Sequence, residues 1–170
     1  ELLIVLDPNG VATNYLFNEV NIGSILKVSE PRGNFLVPDY VETDLCFIST
    51  GVGLAPLRSI YLDIIKRNIP HKHIYVVFGT RFMKDLIYIE EMEKLSELDD
   101  FTFIPVLSRE NSDQWLGKRG YVHDVYMEIF SDKRPAEFYI CGWRDMVTQA
   151  RQNLMELGYK RKQIHFERYD

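Results

Sequence analysis

From Asp44 onward the chain alternates between two textures. Leu45-Cys46-Phe47-Ile48-Ser49, His73-Ile74-Tyr75-Val76-Val77-Phe78 and Glu137-Phe138-Tyr139-Ile140-Cys141 are nearly continuous apolar runs, the pattern of strands buried on both faces. Between them apolar residues recur at helical spacing. Leu57, Ile60, Tyr61, Ile64 and Ile65 mark a helix over Pro56 to Arg67, Leu86 to Leu98 a second, and Met146 to Leu157 another that Gly158 stops. Thr102 to Leu107 reads as a strand whose internal Pro105 argues for an edge position. Val122 to Phe130 reads as a short helix and Gln163 to Glu167 as a last strand. Strands alternating with helices predict an α/β fold, a doubly wound parallel sheet with helices on both faces.

The first forty residues have a different texture. Glu1 to Leu6 is strand-like and stops at the turn signal Asp7-Pro8-Asn9-Gly10. Val11 to Asn18 fits one helical stretch, and Ser24 to Ser29 alternates like a half-buried strand until Pro31 and Gly33 break it. Phe35-Leu36-Val37 is another extended piece, ended by Pro38. Strands so few and short do not make a stable sheet alone. Residues 1–42 are therefore expected to be the tail of a β-domain, with a nucleotide-binding domain over 43–170. The first residue is Glu1 rather than Met, so the start reads as a cut within a longer protein.

Composition narrows the function classes. A chain of 170 residues can bury a hydrophobic core without metals or disulfides. A net charge of −5 argues against nucleic acid, which calls for a basic footprint. No apolar run is long enough to span a bilayer, and no signal peptide opens the chain; a cytoplasmic protein is expected. Cys46 and Cys141 share no CxxC spacing, which speaks against a disulfide framework, a cysteine-rich zinc site or an iron–sulfur site. His71 and His73 flank Lys72 in what reads as a solvated turn, and no metal site is expected. Trp115, Phe82 and Tyr88 read as packing or surface residues.

The candidate chemistry lies at strand ends. The first buried strand runs into Ser49-Thr50-Gly51-Val52-Gly53-Leu54-Ala55-Pro56. Glycines there allow a tight turn and a close approach of backbone amides to a ligand. Pro56 suits the start of a helix, and a helix N-terminus suits a pyrophosphate. The usual dinucleotide fingerprint is incomplete: Pro56 stands where its third glycine would be. The second strand closes on Gly79-Thr80-Arg81 with no acidic residue for a ribose hydroxyl. Gly51, Arg81, Ser108, Arg109 and Cys141 all fall at carboxyl ends of predicted strands, the edge where such sheets bind ligands.

Six segments in order carry a resemblance to the ferredoxin–NADP reductase superfamily. They are Thr50-Gly51-Val52-Gly53-Leu54-Ala55-Pro56-Leu57-Arg58-Ser59, Phe78-Gly79-Thr80-Arg81, Leu107-Ser108-Arg109-Glu110, Gly120-Tyr121-Val122, Tyr139-Ile140-Cys141-Gly142 and Phe166-Glu167-Arg168-Tyr169. The resemblance implies a flavin-binding β-barrel ahead of the nicotinamide domain. Gly10-Val11-Ala12-Thr13 resembles the family's second flavin motif, with Gly10 and Thr13 near the flavin pyrophosphate, and Gly33-Asn34-Phe35 resembles the barrel's closing segment. The first flavin motif, an arginine followed by an aromatic and a serine or threonine, does not occur here, so FAD binding is expected of the parent protein rather than of these residues alone. By the same resemblance Thr50, Gly51, Gly53 and Pro56 approach the NAD(P)H pyrophosphate, and Gly79, Thr80, Arg81, Ser108 and Arg109 line the adenosine side. Cys141 and Gly142, with Met146 on the following helix, flank the nicotinamide. Glu167 and Tyr169 match a terminal glutamate and a flavin-covering aromatic, although Asp170 follows Tyr169; Cys141, Glu167 and Tyr169 are the candidate catalytic residues.

What this implies is an oxidoreductase, an NAD(P)H-dependent flavoprotein reductase. It would pass a hydride from NAD(P)H to FAD and send electrons on to a ferredoxin, a flavodoxin, a haem or oxygenase component, or a small molecule. The alternative is a dinucleotide-binding regulatory module without redox turnover. For a 2′-phosphate the loop after the third strand offers Ser108, Arg109, Lys118 and Arg119; for a 2′-hydroxyl it offers Glu110 and Asp113. The Trp115-x-Gly117 spacing resembles NADH-using oxygenase reductases, which tips the expectation toward NADH.

Overall fold

Alternate residues of the apolar runs face opposite ways, and each face finds its own helices. A computed structural model describes residues 1–30, 32–36 and 40–169. The chain divides into two compact units, Glu1–Asn34 and Phe35–Asp170.

In the first unit the only regular element among the described residues is α1, Val11–Asn18. The turn before it is tied by Asn14, whose side-chain amide donates to the carbonyls of Asp7 (2.9 Å), Pro8 (3.1 Å) and Gly10 (2.7 Å). The strands expected at Glu1 to Leu6 and Ser24 to Ser29 do not form, and Phe35 and Leu36 are not in a strand. An extended segment becomes a strand only by pairing, and here none of these has a ladder partner. Pro31, Val37, Pro38, Asp39 and Asp170 lie outside the described residues, and with them the expected breaks at Pro31 and Pro38.

The second unit is the parallel α/β sheet. Its elements in order are β1 (Asp44–Thr50), α2 (Leu54–Arg67), β2 (Ile74–Thr80), α3 (Ile89–Leu95), β3 (Phe101–Leu107), β4 (Lys118–Arg119), α4 (Val122–Ile129), β5 (Ala136–Trp143), α5 (Arg144–Leu157) and β6 (Ile164–Tyr169). All pairings are parallel, in the order β4-β3-β2-β1-β5-β6. Leu45 and Phe47 of β1 join Leu54, Leu57, Tyr61 and Ile64 of α2 and Met92 of α3 in one core. Cys46 and Ile48 join Val125 and Tyr126 of α4 and Val147, Ala150 and Leu154 of α5 in the other. Phe47, Tyr61, Phe78 and Tyr139 are fully buried, each burial contributing about 1.5–3 kcal/mol.

Beyond shifts of one or two residues at other element ends, three differences from the sequence reading stand out. The helix expected from Pro56 begins at Leu54, so Pro56 is its third residue, still in the first turn where a missing N–H removes no helical bond. The helix expected over Leu86 to Leu98 shrinks to Ile89–Leu95; Tyr88 takes a left-handed conformation (φ 57°) ahead of it, which holds Leu86 and Ile87 outside the helix. The outermost strand is β4 rather than β3, but β4 pairs only with Val106 and Leu107, so Phe101 to Pro105 still form an open edge among the described residues.

Candidate dinucleotide site

The chain winds from β1 to β2 and β3 on one side, then crosses to β5 and β6 on the other. Between β1 and β5 the connections leave in opposite directions, and this divergence opens a crevice beyond the strand ends. Thr50 and Gly51 form one lip, and Cys141 and Gly142 the other. Ser49 and Cys141 are register partners across it.

The two lips are locked together. A Cβ on Gly53 would fall on the Cys141 carbonyl and within 2.6 Å of the Gly142 nitrogen. A Cβ on Gly142 (φ 140°) would strike the Thr50 hydroxyl. That hydroxyl accepts a hydrogen bond from the Trp143 backbone N–H at 3.3 Å. Gly53 and Gly142 thus permit backbone to lie on backbone. Gly51 (φ 54°) is the exposed glycine with open space where a side chain would be. It leads through a short turn, Gly51–Gly53, whose Gly51 carbonyl accepts from the Leu54 N–H, into the first turn of α2, where Pro56 carries no N–H and the Ala55 amide has no partner within the helix.

On the β5–β6 side, Cys141, Glu167 and Tyr169 come together. Cys141 pairs in register with Glu167, and Trp143 with Tyr169. Burial first, then the Glu167 carboxylate, push the Cys141 thiol up to about 12, with Tyr169 opposing them. At neutral pH it is a protonated thiol and not a nucleophile. Met146 does not join this cluster: it packs on the opposite core, with α5.

The ends of β2 and β3 form the other half of the edge. Gly79 packs against Val122 and Thr50, where a Cβ would lie 2.8 Å from the valine methyl. The Thr80 hydroxyl donates to the Phe82 carbonyl. Ser108 donates from both N–H and hydroxyl to the Thr80 carbonyl, and the Arg109 N–H donates to the Arg81 carbonyl. The side chains of Arg81 and Arg109 are exposed, and neither has an ion-pair or hydrogen-bond partner among the described residues. Beyond them a shallow hollow of about 380 Å³ is lined by Phe82, Met83, Lys84 and Glu110.

Three charged residues of the loop from Glu110 to Arg119 are engaged, by the loop itself or by its immediate neighbours. Glu110 accepts from the amides of Ser112 (2.9 Å) and Met83 (3.1 Å), which hold its carboxyl below the usual range. Arg119 donates to the carbonyls of Glu110 and Ser112, and Lys118 pairs with Glu128 at 3.1 Å. The Trp115 indole donates to the Lys118 carbonyl, and its ring lies on Gly117, where a side chain would collide with it.

Two residues escaped the sequence reading. The Ser49 hydroxyl is fully buried with no hydrogen-bond partner among the described residues; the signal was a polar residue closing an apolar strand. Trp143, 66% exposed at the start of α5, stands at the rim of the crevice.

Comparisons with known proteins give the family. Residues 47–152 match the oxidoreductase NAD-binding domain family. The chain is 30% identical over 177 aligned positions to ferredoxin–NADP reductase B of Sorangium cellulosum, covering 100% of this chain and 72% of that protein. It is 34% identical over 168 positions to the xylene/toluene monooxygenase electron transfer component XylA of Pseudomonas putida, covering 96% of this chain and 47% of that protein. The crystal structure of the Amycolatopsis cytochrome P450 reductase GcoB superposes with a TM-score of 0.85 at 26% identity, covering 97% of this chain and 50% of that one. The chain thus spans about half the length of several relatives it matches. With its fold, its switch-point crevice and these similarities in accord, the chain belongs to the oxidoreductase NAD-binding domain family, within the ferredoxin–NADP reductase superfamily.

Proposed function

We propose that this chain is the nicotinamide half of an NAD(P)H-dependent flavoprotein reductase. It presents NAD(P)H to an FAD held by a β-domain to which the first unit, Glu1–Asn34, belongs, and electrons leave for a ferredoxin, flavodoxin, haem or oxygenase component. The convergence of Gly51, Cys141, Glu167 and Tyr169 on one switch-point crevice carries the reading.

The residues present fit a dinucleotide. Open space at Gly51 gives a pyrophosphate access to the amides entering α2, while the free guanidinium groups of Arg81 and Arg109 suit the adenosine end. Gly10, at the start of α1, meets a similar need on the flavin side: a Cβ there would lie 2.8 Å from the Thr13 hydroxyl, which is itself engaged with Asp7. The bound nicotinamide and flavin supply the hydride chemistry. The chain supplies position: the neutral Cys141 thiol and the Tyr169 ring wall the nicotinamide end, with the Glu167 carboxylate beside them. Holding the reacting partners in one geometry makes a bimolecular step effectively unimolecular.

Anaerobic mixing of NADH with the flavin-loaded protein is expected to bleach the flavin. Cys141→Ala is expected to slow that bleaching about tenfold while changing NADH affinity by less than about threefold. A dinucleotide-binding module without turnover would bind NADH and leave the flavin oxidised, which would overturn the reading.

NADH remains the expected donor, because Lys118 and Arg119 are engaged and withdrawn from any 2′-phosphate. In calorimetric titrations of this chain, Arg81→Ala/Arg109→Ala is expected to weaken NADH binding about tenfold, or 1.4 kcal/mol. Lys118→Ala is expected to leave affinity for either nucleotide within about twofold. A kcat/KM at least about tenfold higher with NADPH, abolished by Lys118→Ala, would reverse the assignment.

A further inference from the structure

Among the polar side chains of β1, one stands apart. Asp44 is paired with Arg134, and the Thr50 hydroxyl accepts from the Trp143 backbone N–H. Ser49, between the apolar run and Thr50, is fully buried, and its Oγ has no hydrogen-bond partner among the described residues. A buried hydroxyl left unpaired is unfavourable, because it has lost its bonds to water and gained none in their place. Alanine would fill the same position without that penalty, so the stability of the sheet does not explain Ser49.

Its surroundings narrow what the hydroxyl is for. Alternate residues of a strand face opposite ways. Phe47 lies in the core with α2 and Ile48 in the core with α4 and α5, so Ser49 shares the face of Phe47. In register its neighbours are Phe78 of β2 on one side and Cys141 of β5 on the other. Phe78 offers no polar atom. Cys141 belongs to the same core as Phe47, and its protonated thiol has a hydrogen to donate. On the far side of Cys141 stands Glu167 of β6, a competing acceptor. The thiol therefore lies between a hydroxyl and a carboxylate, in a row across three adjacent strands at the end of the sheet where the crevice opens.

We infer that Ser49 is a positioning residue, whose hydroxyl receives the Cys141 thiol hydrogen when the nicotinamide end of the dinucleotide occupies the crevice. In the chain without nucleotide the two groups are not hydrogen-bonded. A nicotinamide packed on the β5 lip crowds the outward side of the sulfur and leaves the hydrogen an inward direction, toward β1. The sulfur then turns its polarizable lone pairs to the ring. The depth of that contact is set by the bond to Ser49 rather than by a freely turning thiol. That nicotinamide fills the crevice rests on the proposed function; the orphaned hydroxyl beside Cys141 does not.

The test reads the S–H stretching band of Cys141, isolated by subtracting the infrared spectrum of Cys141→Ala. Adding NADH to this chain is expected to shift the band to lower frequency, the mark of a donated hydrogen bond, and the shift is expected to vanish in Ser49→Ala. Without nucleotide, Ser49→Ala is expected to unfold at the same urea concentration as the wild type or at a higher one, since it removes an unpaired hydroxyl. In the flavin-loaded protein it is expected to slow bleaching about fivefold while NADH affinity stays within about twofold. A Ser49→Ala chain that unfolds earlier, or does not fold, gives the hydroxyl a structural task and overturns the inference, as does bleaching at the wild-type rate. So does a band shift that survives in Ser49→Ala and disappears in Glu167→Gln, which would turn the thiol toward the carboxylate. Calorimetry separates the two readings. A wild-type chain that binds no NADH fails the nicotinamide reading and takes this inference with it, whereas NADH binding with an unmoved S–H band overturns this inference alone.

Discussion

Gly53→Ala is expected to lower the unfolding free energy by about 3 kcal/mol, at the upper end of overpacking costs. Spacing alone assigns this glycine to the ligand, since it sits in the loop proposed to meet the pyrophosphate. The structure gives it another task. Its missing Cβ is the room in which the Cys141–Gly142 peptide lies, and the obstruction is backbone, which cannot swing aside as a flexible side chain would. Urea unfolding of the chain without nucleotide checks this. Gly51→Ala is the companion measurement. Nothing obstructs a methyl group there, so its cost is the left-handed backbone alone, about 1 kcal/mol, together with weaker NADH binding. Should Gly53→Ala unfold at the wild-type midpoint and lose only NADH affinity, the glycine serves the ligand after all.

The second large effect is expected at the opposite end of the same two strands. Arg134, just before β5, donates from Nε to the Asp44 carboxylate at 2.6 Å and from Nη1 to the Ile129 carbonyl at 2.6 Å, with the Phe130 ring beneath it. Asp44 opens β1 and is buried. Removing the guanidinium leaves an uncompensated buried carboxylate, so Arg134→Ala is expected to destabilise the chain by about 3 kcal/mol. Replacing both charges, as in Asp44→Asn/Arg134→Met, is expected to recover about half of that, because the penalty lies in the orphaned charge more than in the lost pair. Guanidinium chloride unfolding of the single and double variants measures the difference. A double variant no more stable than Arg134→Ala would show that the pair's worth lies in its hydrogen bonds to neighbouring backbone.

Elements that depend on burial alone were legible in the sequence. β1 and β5 are flanked on both edges and covered on both faces, so their central residues are apolar and the run announces itself. The helix stop at Gly158 was legible because φ there is 112°, a conformation that favours glycine. What depended on distant partners was not. Ser24 to Ser29 alternates as a strand should, yet alternation is only a capacity to pair. Arg134 and Asp44 are 90 positions apart, and nothing local marks either as a buried ion pair. Lys118 and Arg119 looked like free cations near a phosphate until the loop's own carbonyls and Glu128 claimed them. The order of the strand ends points to the crevice between β1 and β5; the division of labour among its glycines required the packing of one lip on the other.

The locked lips bear on how such a domain diversifies. Under the proposed assignment, the nicotinamide end is built from atoms that also hold β1 against β5, since Thr50, Gly53 and Gly142 cannot be altered without disturbing the sheet. The adenosine end is different: Arg81 and Arg109 project from strand ends whose backbone bonds do not involve their side chains. Selection can therefore retune the donor's adenosine by single substitutions at little structural cost, while the redox end resists drift. A designer seeking a changed cofactor preference should find permissive positions at Arg81 and Arg109, and brittle ones across the crevice.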